Sequence, residues 1–170
     1  MKINLQKLED YSLSSSDIKK VLKGVKIIEY SQLSNFNNID DVFDKEGRFI
    51  LFFATEAENI GHWQCCFKFE NSIIFFDSYG LNVDEAKKYV PQKLEIQLKE
   101  YPNYLSDLLR QSSYNVYHNS IKYQQMKGDI TTCGKHSSFR LLNKKLNGQQ
   151  YLKLMNSLKK NIMSKHMMKL

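Results

Sequence analysis

Residues 62–77 read His62-Trp-Gln-Cys-Cys-Phe-Lys-Phe-Glu-Asn-Ser-Ile-Ile-Phe-Phe-Asp77, and the way they pair decides the fold. Two runs of strand length flank Glu70-Asn71, the spacing of a β-hairpin with a two-residue turn. In that register Asp77 faces Gln64, and Gln64 shares a side of the strand with His62, two residues away. His62 and Asp77 are then diagonal cross-strand neighbours, about 7–8 Å apart at Cα and within side-chain reach. A three-residue turn would slip the register by one and send the two side chains to opposite faces. The pairing is therefore a specific expectation. Cys65 and Cys66, adjacent on the first strand, point to opposite faces.

Upstream of the hairpin, Phe49-Ile-Leu-Phe-Phe-Ala54 is an unbroken apolar run, the pattern of a central strand covered on both faces. Before it, residues 13–23 read as a capped helix with an N-cap at Ser14, Ser15 or Ser16, an apolar face of Ile18, Val21 and Leu22, and a stop at Gly24. Residues 25–30 form a brief strand. Residues 31–48 read as loop, anchored by Leu33, Phe36, Ile39, Val42 and Phe43. Downstream, residues 83–110 carry helical periodicity broken at Pro91 and Pro102, which gives two or three helical pieces. Residues 114–118 and 121–123 make a last strand. A helix opens at Cys133, with Phe139, Leu142 and Leu146 at inward spacing and Gly148 as its cap. A final helix follows from about Gln149, with Leu152, Met155, Leu158 and Ile162 inward and lysines outward.

The chain has 170 residues, the size of one domain, and no linker or repeat divides it. Residues 1–170 are expected to form one domain with a basic helical segment at 149–170. Three cysteines, two of them adjacent, do not make a disulfide framework, and a reducing compartment fits them. With no signal-like leader and no run of 18 apolar residues, secretion and membrane insertion are not expected. Residues 130–170 hold nine Lys/Arg and no acid, on a body that is otherwise near neutral. Contact with a polyanion such as DNA and a merely solvated helix face account equally well for that asymmetry.

Chemistry concentrates in residues 124–136, Gln124-Gln-Met-Lys-Gly-Asp-Ile-Thr-Thr-Cys-Gly-Lys-His136. A cysteine in the first turn of a helix has its thiolate favoured by unpaired backbone N–H groups and the positive end of the dipole. A glutamine upstream offers an amide beside the sulfur, so the segment holds a nucleophile and an oxyanion donor. Such a thiol needs a base. His166 lies in the basic C-terminal end, His136 shares the helix with Cys133 and sits too close to its backbone, and His118 has no acid nearby. His62 has Asp77, and it follows Gly61, which could let a substrate backbone approach. A carboxylate on the far ring nitrogen fixes the imidazole tautomer and stabilises the imidazolium, which in turn favours the thiolate. A zinc site from His62, Cys65 and Cys66 is disfavoured, since adjacent cysteines diverge and the spacing fits no common ligand pattern.

Taken together, Gly61-His62-Trp63, Phe76-Asp77-Ser78-Tyr79-Gly80-Leu81 and Gln…Thr132-Cys133-Gly134 resemble the adenovirus-type cysteine proteases. These include capsid-maturation proteases of adenoviruses, virophages and polinton-like elements, and they are similar to cellular proteases that process ubiquitin-like proteins. The resemblance spans about residues 20–145. It implies an α+β fold, a permuted papain-like arrangement in which a small, mainly antiparallel sheet packs on helices and the nucleophile starts a core helix. It implies Cys133 as nucleophile, His62 as general base and then acid, Asp77 as its orienter, and Trp63 closing the site from water. A glutamine would donate to the oxyanion with the Cys133 N–H. Gln125 is preferred and Gln124 is the alternative, although both stand a residue or two farther from the cysteine than is usual in that family. Gly61, Trp63, Gln124 and Gly134 would line the site.

The function so implied is a thiol endopeptidase that cleaves viral capsid precursors inside the host cell and virion, favouring small residues before the scissile bond. No metal or cofactor is required, and the protein would be a monomer. DNA, held by residues 130–170, or a viral peptide would be the activator. Two other functions compete: a protease or acyltransferase acting on host ubiquitin-like proteins, and a basic nucleic-acid-binding or packaging protein in which Cys133 is structural.

Overall fold

The computed structural model describes residues 12–57, 60–124 and 132–167. It is α+β, with a five-stranded sheet whose spatial order follows the sequence, covered by helices on both sides. The strands are β1 (Lys26–Glu29), β2 (Arg48–Ala57), β3 (Ile60–Phe69), β4 (Ser72–Phe76) and β5 (Asn115–His118). The helices are α1 (Ser15–Val21), α2 (Gln92–Gln97), α3 (Tyr104–Arg110), α4 (Cys133–Leu142) and α5 (Gly148–Met167).

The β3–β4 hairpin takes the register read from the sequence. Phe69 pairs with Ser72 around a two-residue turn and Cys65 pairs with Phe76. Glu70, in the turn, adopts the left-handed φ of 52° that such tight hairpins require.

The sheet is mixed, where a mainly antiparallel one was expected. β2–β3 and β3–β4 are antiparallel, but β1–β2 and β4–β5 are parallel. The reason is chain reversal through crossovers. A parallel neighbour needs a connection that returns to the same end of the sheet. Residues 31–48, expected as loop, supply one through 3₁₀ turns at Tyr30–Asn35 and Ile39–Asp41. Residues 77–114 supply the other through a 3₁₀ turn at Glu85–Tyr89, α2 and α3, broken at Pro91 and Pro102 as the sequence indicates.

Both crossovers lie on one face. There Phe49, Leu51 and Phe53 of β2 meet Leu33, Ile39 and Val42 of the first crossover and Leu105, Leu108 and Leu109 of α3. The alternate residue of β2, Ile50, joins Trp63, Cys65, Phe67 and Phe76 on the other face, under Ile18 and Leu22 near α1, Leu141 of α4 and Tyr151 of α5. That alternation explains why β2 is apolar at every position from Phe49 to Ala54.

Several helical faces are rotated from the expected ones. In α1, capped by the Ser14 side chain, Ile18 and Leu22 are buried but Val21 is half exposed. In α4, Leu141 is buried and Leu142 exposed. α4 ends at Leu142, so Gly148 opens α5 and does not cap α4. In α5 the deepest side chain is Tyr151, while Leu158 is partly exposed. The side chain of Ile162 lies outside the described residues. Residues 121–123 are not strand. Instead the Tyr123 and Gln124 amides both donate to the Ser78 carbonyl, at 2.9 and 3.0 Å, which fastens the segment leading toward Cys133 to the end of β4.

Candidate active site

Because β3 and β4 pair in this register, His62, Gln64 and Asp77 share one face of the sheet at its end. His62 Nε2 donates to Asp77 Oδ2 at 2.8 Å, and Gln64 Nε2 donates to the same oxygen at 2.7 Å. The other carboxylate oxygen, Oδ1, accepts the Tyr79 amide at 2.7 Å. The Asp77 main chain is held from β5's end: its N–H donates to Asn119 Oδ1 at 3.0 Å and its carbonyl accepts Asn119 Nδ2 at 2.6 Å. Asp77 is fully buried. These donors satisfy the oxygens of a side chain that burial has cut off from water.

The Tyr79 ring stacks on the His62 imidazole with centroids 4.8 Å apart. With Nε2 committed to Asp77, Nδ1 is the ring nitrogen left for sulfur. α4 delivers that sulfur from the opposite face, around the end of β3. Its Cys133 thiol hydrogen-bonds to His62 and accepts the Trp63 amide at 3.5 Å. Close approach of α4 to β3 depends on Gly134, where an added Cβ would lie 3.1 Å from the Trp63 ring. Ser137 Oγ, one turn along, donates to the Trp63 carbonyl at 3.2 Å. Trp63 is thereby fastened on both sides and packs against Phe52, with ring centroids 4.7 Å apart.

The electrostatics follow from this packing. Burial works against a charged imidazole, but the hydrogen bond and charge of Asp77, together with Cys133, outweigh it and raise the His62 pKa to about 9. Burial likewise works against a thiolate at Cys133. The hydrogen bond and charge from His62, with the backbone N–H groups of Trp63 and Gly134, overcome that cost and lower its pKa below the ordinary thiol value. Cys65 and Cys66, buried on opposite faces with no such partner, are pushed the other way. The same chemistry thus favours the thiolate at Cys133 and disfavours it at Cys65 and Cys66. His136 is depressed to about 4 by burial and by Lys159 and Lys135, so it is neutral near pH 7.

Gly61 has a structural task at the β2–β3 pairing. A Cβ there would come within 2.2 Å of the Phe53 carbonyl, beside the irregularity between Ala54 and Ala57. Its missing side chain makes room for β2. A groove of about 690 Å³ opens beside it, lined by Leu13, Ile27, Phe52, Gly61 and Trp63 among others.

Gln124 is buried, its Oε1 accepting Ser78 Oγ at 2.8 Å and its Nε2 donating to the Tyr79 hydroxyl at 3.3 Å. Gln125 lies outside the described residues. Among the described residues, no group of three His, Cys, Asp or Glu is arranged to hold a metal ion, and no helix is long and apolar enough to cross a membrane.

Gln64, Asn119 and Tyr79 are the site residues that the sequence did not single out. Gln64 was in view as the residue facing Asp77, and only its role escaped. Asn119 is 42 residues from Asp77 and no local pattern announces it.

Over 151 residues, 88% of this chain and 86% of the other, the sequence is 38% identical to a protein of Sputnik virophage called "Uncharacterized protein V9". No protein-family model matches the chain, and no solved structure does.

Proposed function

The chain belongs to the family of the Sputnik virophage protein V9, and from that premise we propose that it is a thiol endopeptidase that cleaves viral structural precursors during particle maturation. The observation that carries this reading is the connected set Cys133–His62–Asp77. A thiol with lowered pKa is hydrogen-bonded to an imidazole, which is held at 2.8 Å by a fully buried carboxylate. Nucleophile, base and orienter in hydrogen-bonding sequence are what acyl transfer through a thioester requires.

The Cys133 thiolate attacks the scissile carbonyl carbon, and the oxyanion forms at the start of α4. There the Cys133 N–H and a glutamine amide, Gln125 or Gln124, donate to it. The imidazolium of His62 gives its proton to the departing amine. The acyl-enzyme is then hydrolysed by water that His62 deprotonates, and the free thiolate–imidazolium pair returns. Asp77 keeps the ring oriented throughout. Gln64 and Asn119 keep Asp77 in place, as positioning residues. Trp63, pinned by Ser137 and stacked near Phe52, shields the thioester from bulk water. The groove beside Gly61 and Trp63 is where the acyl portion of the substrate lies, with a small residue before the scissile bond. The architecture is then a permuted papain-like one, acting as a single domain and a monomer within the infected cell and the virion.

The deciding experiment incubates the protein with its cognate major capsid precursor and measures product masses. Wild type is expected to give two fragments and Cys133→Ala none. Cleavage retained by folded Cys133→Ala overturns the mechanism.

Exposed lysines on α5, including Lys153, Lys159 and Lys160, support a second element of the reading: contact with DNA, which localises or activates the enzyme. Arg140, by contrast, is buried and contributes nothing to that surface.

A further inference from the structure

A second cavity, of about 400 Å³, lies between β4, β5 and the start of α5. Neither Cys133, His62 nor Asp77 lines it. Three features of its wall favour the same kind of occupant.

The first is Arg140, which is only 4% exposed. Its guanidinium is stacked between the rings of Phe67 and Tyr151, 4.6 and 4.5 Å from their centroids, and donates to the Asn143 and Leu146 carbonyls at 2.9 and 3.0 Å. Arg48 and Arg110 each have a carboxylate partner, but no carboxylate among the described residues pairs with Arg140. A buried cation that has given up water for two carbonyls and two rings still lacks a counter-charge.

The second is Tyr151, 1% exposed, whose hydroxyl has no hydrogen-bond partner among the described residues. Its ring lines the cavity. Buried hydroxyls are almost always satisfied, and an orphan marks a place where something else binds. The third is the N-terminus of α5. Asn147 and Gly148 line the same cavity, and a helix of 20 residues presents the positive end of its dipole there.

The remaining wall combines the aromatic and aliphatic side chains of Ile74, Phe76, Tyr117 and Tyr123 with the polar Ser72, His118 and Asn119 and the exposed carboxylate-bearing Glu70 of the hairpin turn. The volume is several times what a bare inorganic anion fills. It lies in the range of small-molecule sites, roughly 300–1,000 Å³.

We propose that this cavity is a binding site for a small organic anion, a carboxylate or phosphate monoester carried on an aromatic body. The anionic group sits against Arg140, the Tyr151 hydroxyl and the first turn of α5. The ring lies among Phe76, Tyr117 and Tyr123, where offset stacking is available.

The test is calorimetric titration of the full chain with four probes: phenyl phosphate, phenylacetate, inorganic phosphate and benzyl alcohol. At least one aromatic anion is expected to bind at millimolar concentration or below, and the tighter of the two identifies the headgroup. Inorganic phosphate, lacking the ring, and benzyl alcohol, lacking the charge, are expected to bind about tenfold more weakly or not at all. Tyr151→Phe removes one oxygen from a site where it has no partner, so it is expected to fold at least as stably as the parent while weakening the anion about tenfold. Arg140→Met is expected to abolish binding. Absence of heat with both aromatic anions on folded protein overturns the proposal. So does benzyl alcohol binding as tightly as they do, or unchanged affinity in Tyr151→Phe.

Discussion

At the scale of residues, the proton shared by Cys133 and His62 governs what the site can do. The His62 pKa is raised to about 9 while that of Cys133 is lowered, and both shifts favour the imidazolium–thiolate form of the pair over neutral imidazole and thiol. A proton passed from sulfur to imidazole stays within the pair, so the exchange itself changes proton uptake little and stability hardly reports it. Reactivity does. Iodoacetamide is expected to label Cys133 rapidly at pH 6–7, where an ordinary thiol is almost wholly protonated, and to leave Cys65 and Cys66 untouched in folded protein. Peptide mapping after labelling checks this. In His62→Ala the imidazole is gone and only the Trp63 and Gly134 N–H groups oppose burial at the thiol, so labelling at pH 7 is expected to fall by about tenfold or more. Gln64 acts one bond farther away. Replacing it with Leu leaves Asp77 Oδ2 short of a buried donor, at a cost of about 1–3 kcal/mol. Its signature is a downward shift of the pH–labelling profile of Cys133 with the chain still folded, and Gln64→Glu does not rescue it.

At the scale of elements, the β3–β4 hairpin is the device that makes His62 and Asp77 neighbours. Its two-residue turn sets the register, and every side chain downstream inherits the face that turn assigns. Inserting one glycine between Glu70 and Asn71 is expected to abolish low-pH labelling of Cys133 while circular dichroism still shows a folded sheet. Full reactivity in that variant would mean the register does not hold the pair together. Gly61 is the second constraint. Adding a methyl group drives it into the Phe53 carbonyl, 2.2 Å away. Gly61→Ala is therefore expected to lose about 1–3 kcal/mol, read as a lower midpoint in urea. The hairpin, the apolar β2 run and the helix at Cys133 were all legible because each is a local pattern with a known period. The orientation of the edge strands was not. β1 and β5 are four residues long, and nothing within four residues records which way the chain arrives. Helix faces misjudged by one residue, as at Leu141 and Leu142, have the same origin, since the period fixes a stripe but packing chooses its centre.

At the scale of the whole molecule, one buried acid outside the Cys133–His62–Asp77 set links pH to stability. Glu100 is 3% exposed, accepts the Ala54 amide at 3.1 Å through Oε1, and has no hydrogen-bond partner for Oε2 among the described residues. Burial, aided by Glu95 and Glu29, outweighs the Ala54 hydrogen bond and Lys87 and raises its pKa to about 7. The folded chain therefore holds a proton that the unfolded chain releases near 4.5, so stability falls as pH rises between those values and levels off above 7. Glu100→Gln is expected to flatten that slope and to raise Tm at pH 8 by about 2–4 °C, the change expected for about 1 kcal/mol in a chain of this size. An unchanged difference between pH 5 and pH 8 would show that another group titrates. The division between sequence and tertiary structure is plainest in the site itself. The sequence by itself determined the hairpin register, the cysteine at a helix start and the histidine–aspartate pair, because strand alternation and helix capping act over a few residues. Only the tertiary structure decided that Asn119 clamps Asp77, that Gln64 shares its oxygen, that Gly61 serves the sheet, and that Arg140 is buried between rings. Those contacts join segments up to 73 residues apart, the separation of Arg140 and Phe67. Distance in sequence carries no signal for them, because packing of the two sheet faces, not any local preference, brings them together.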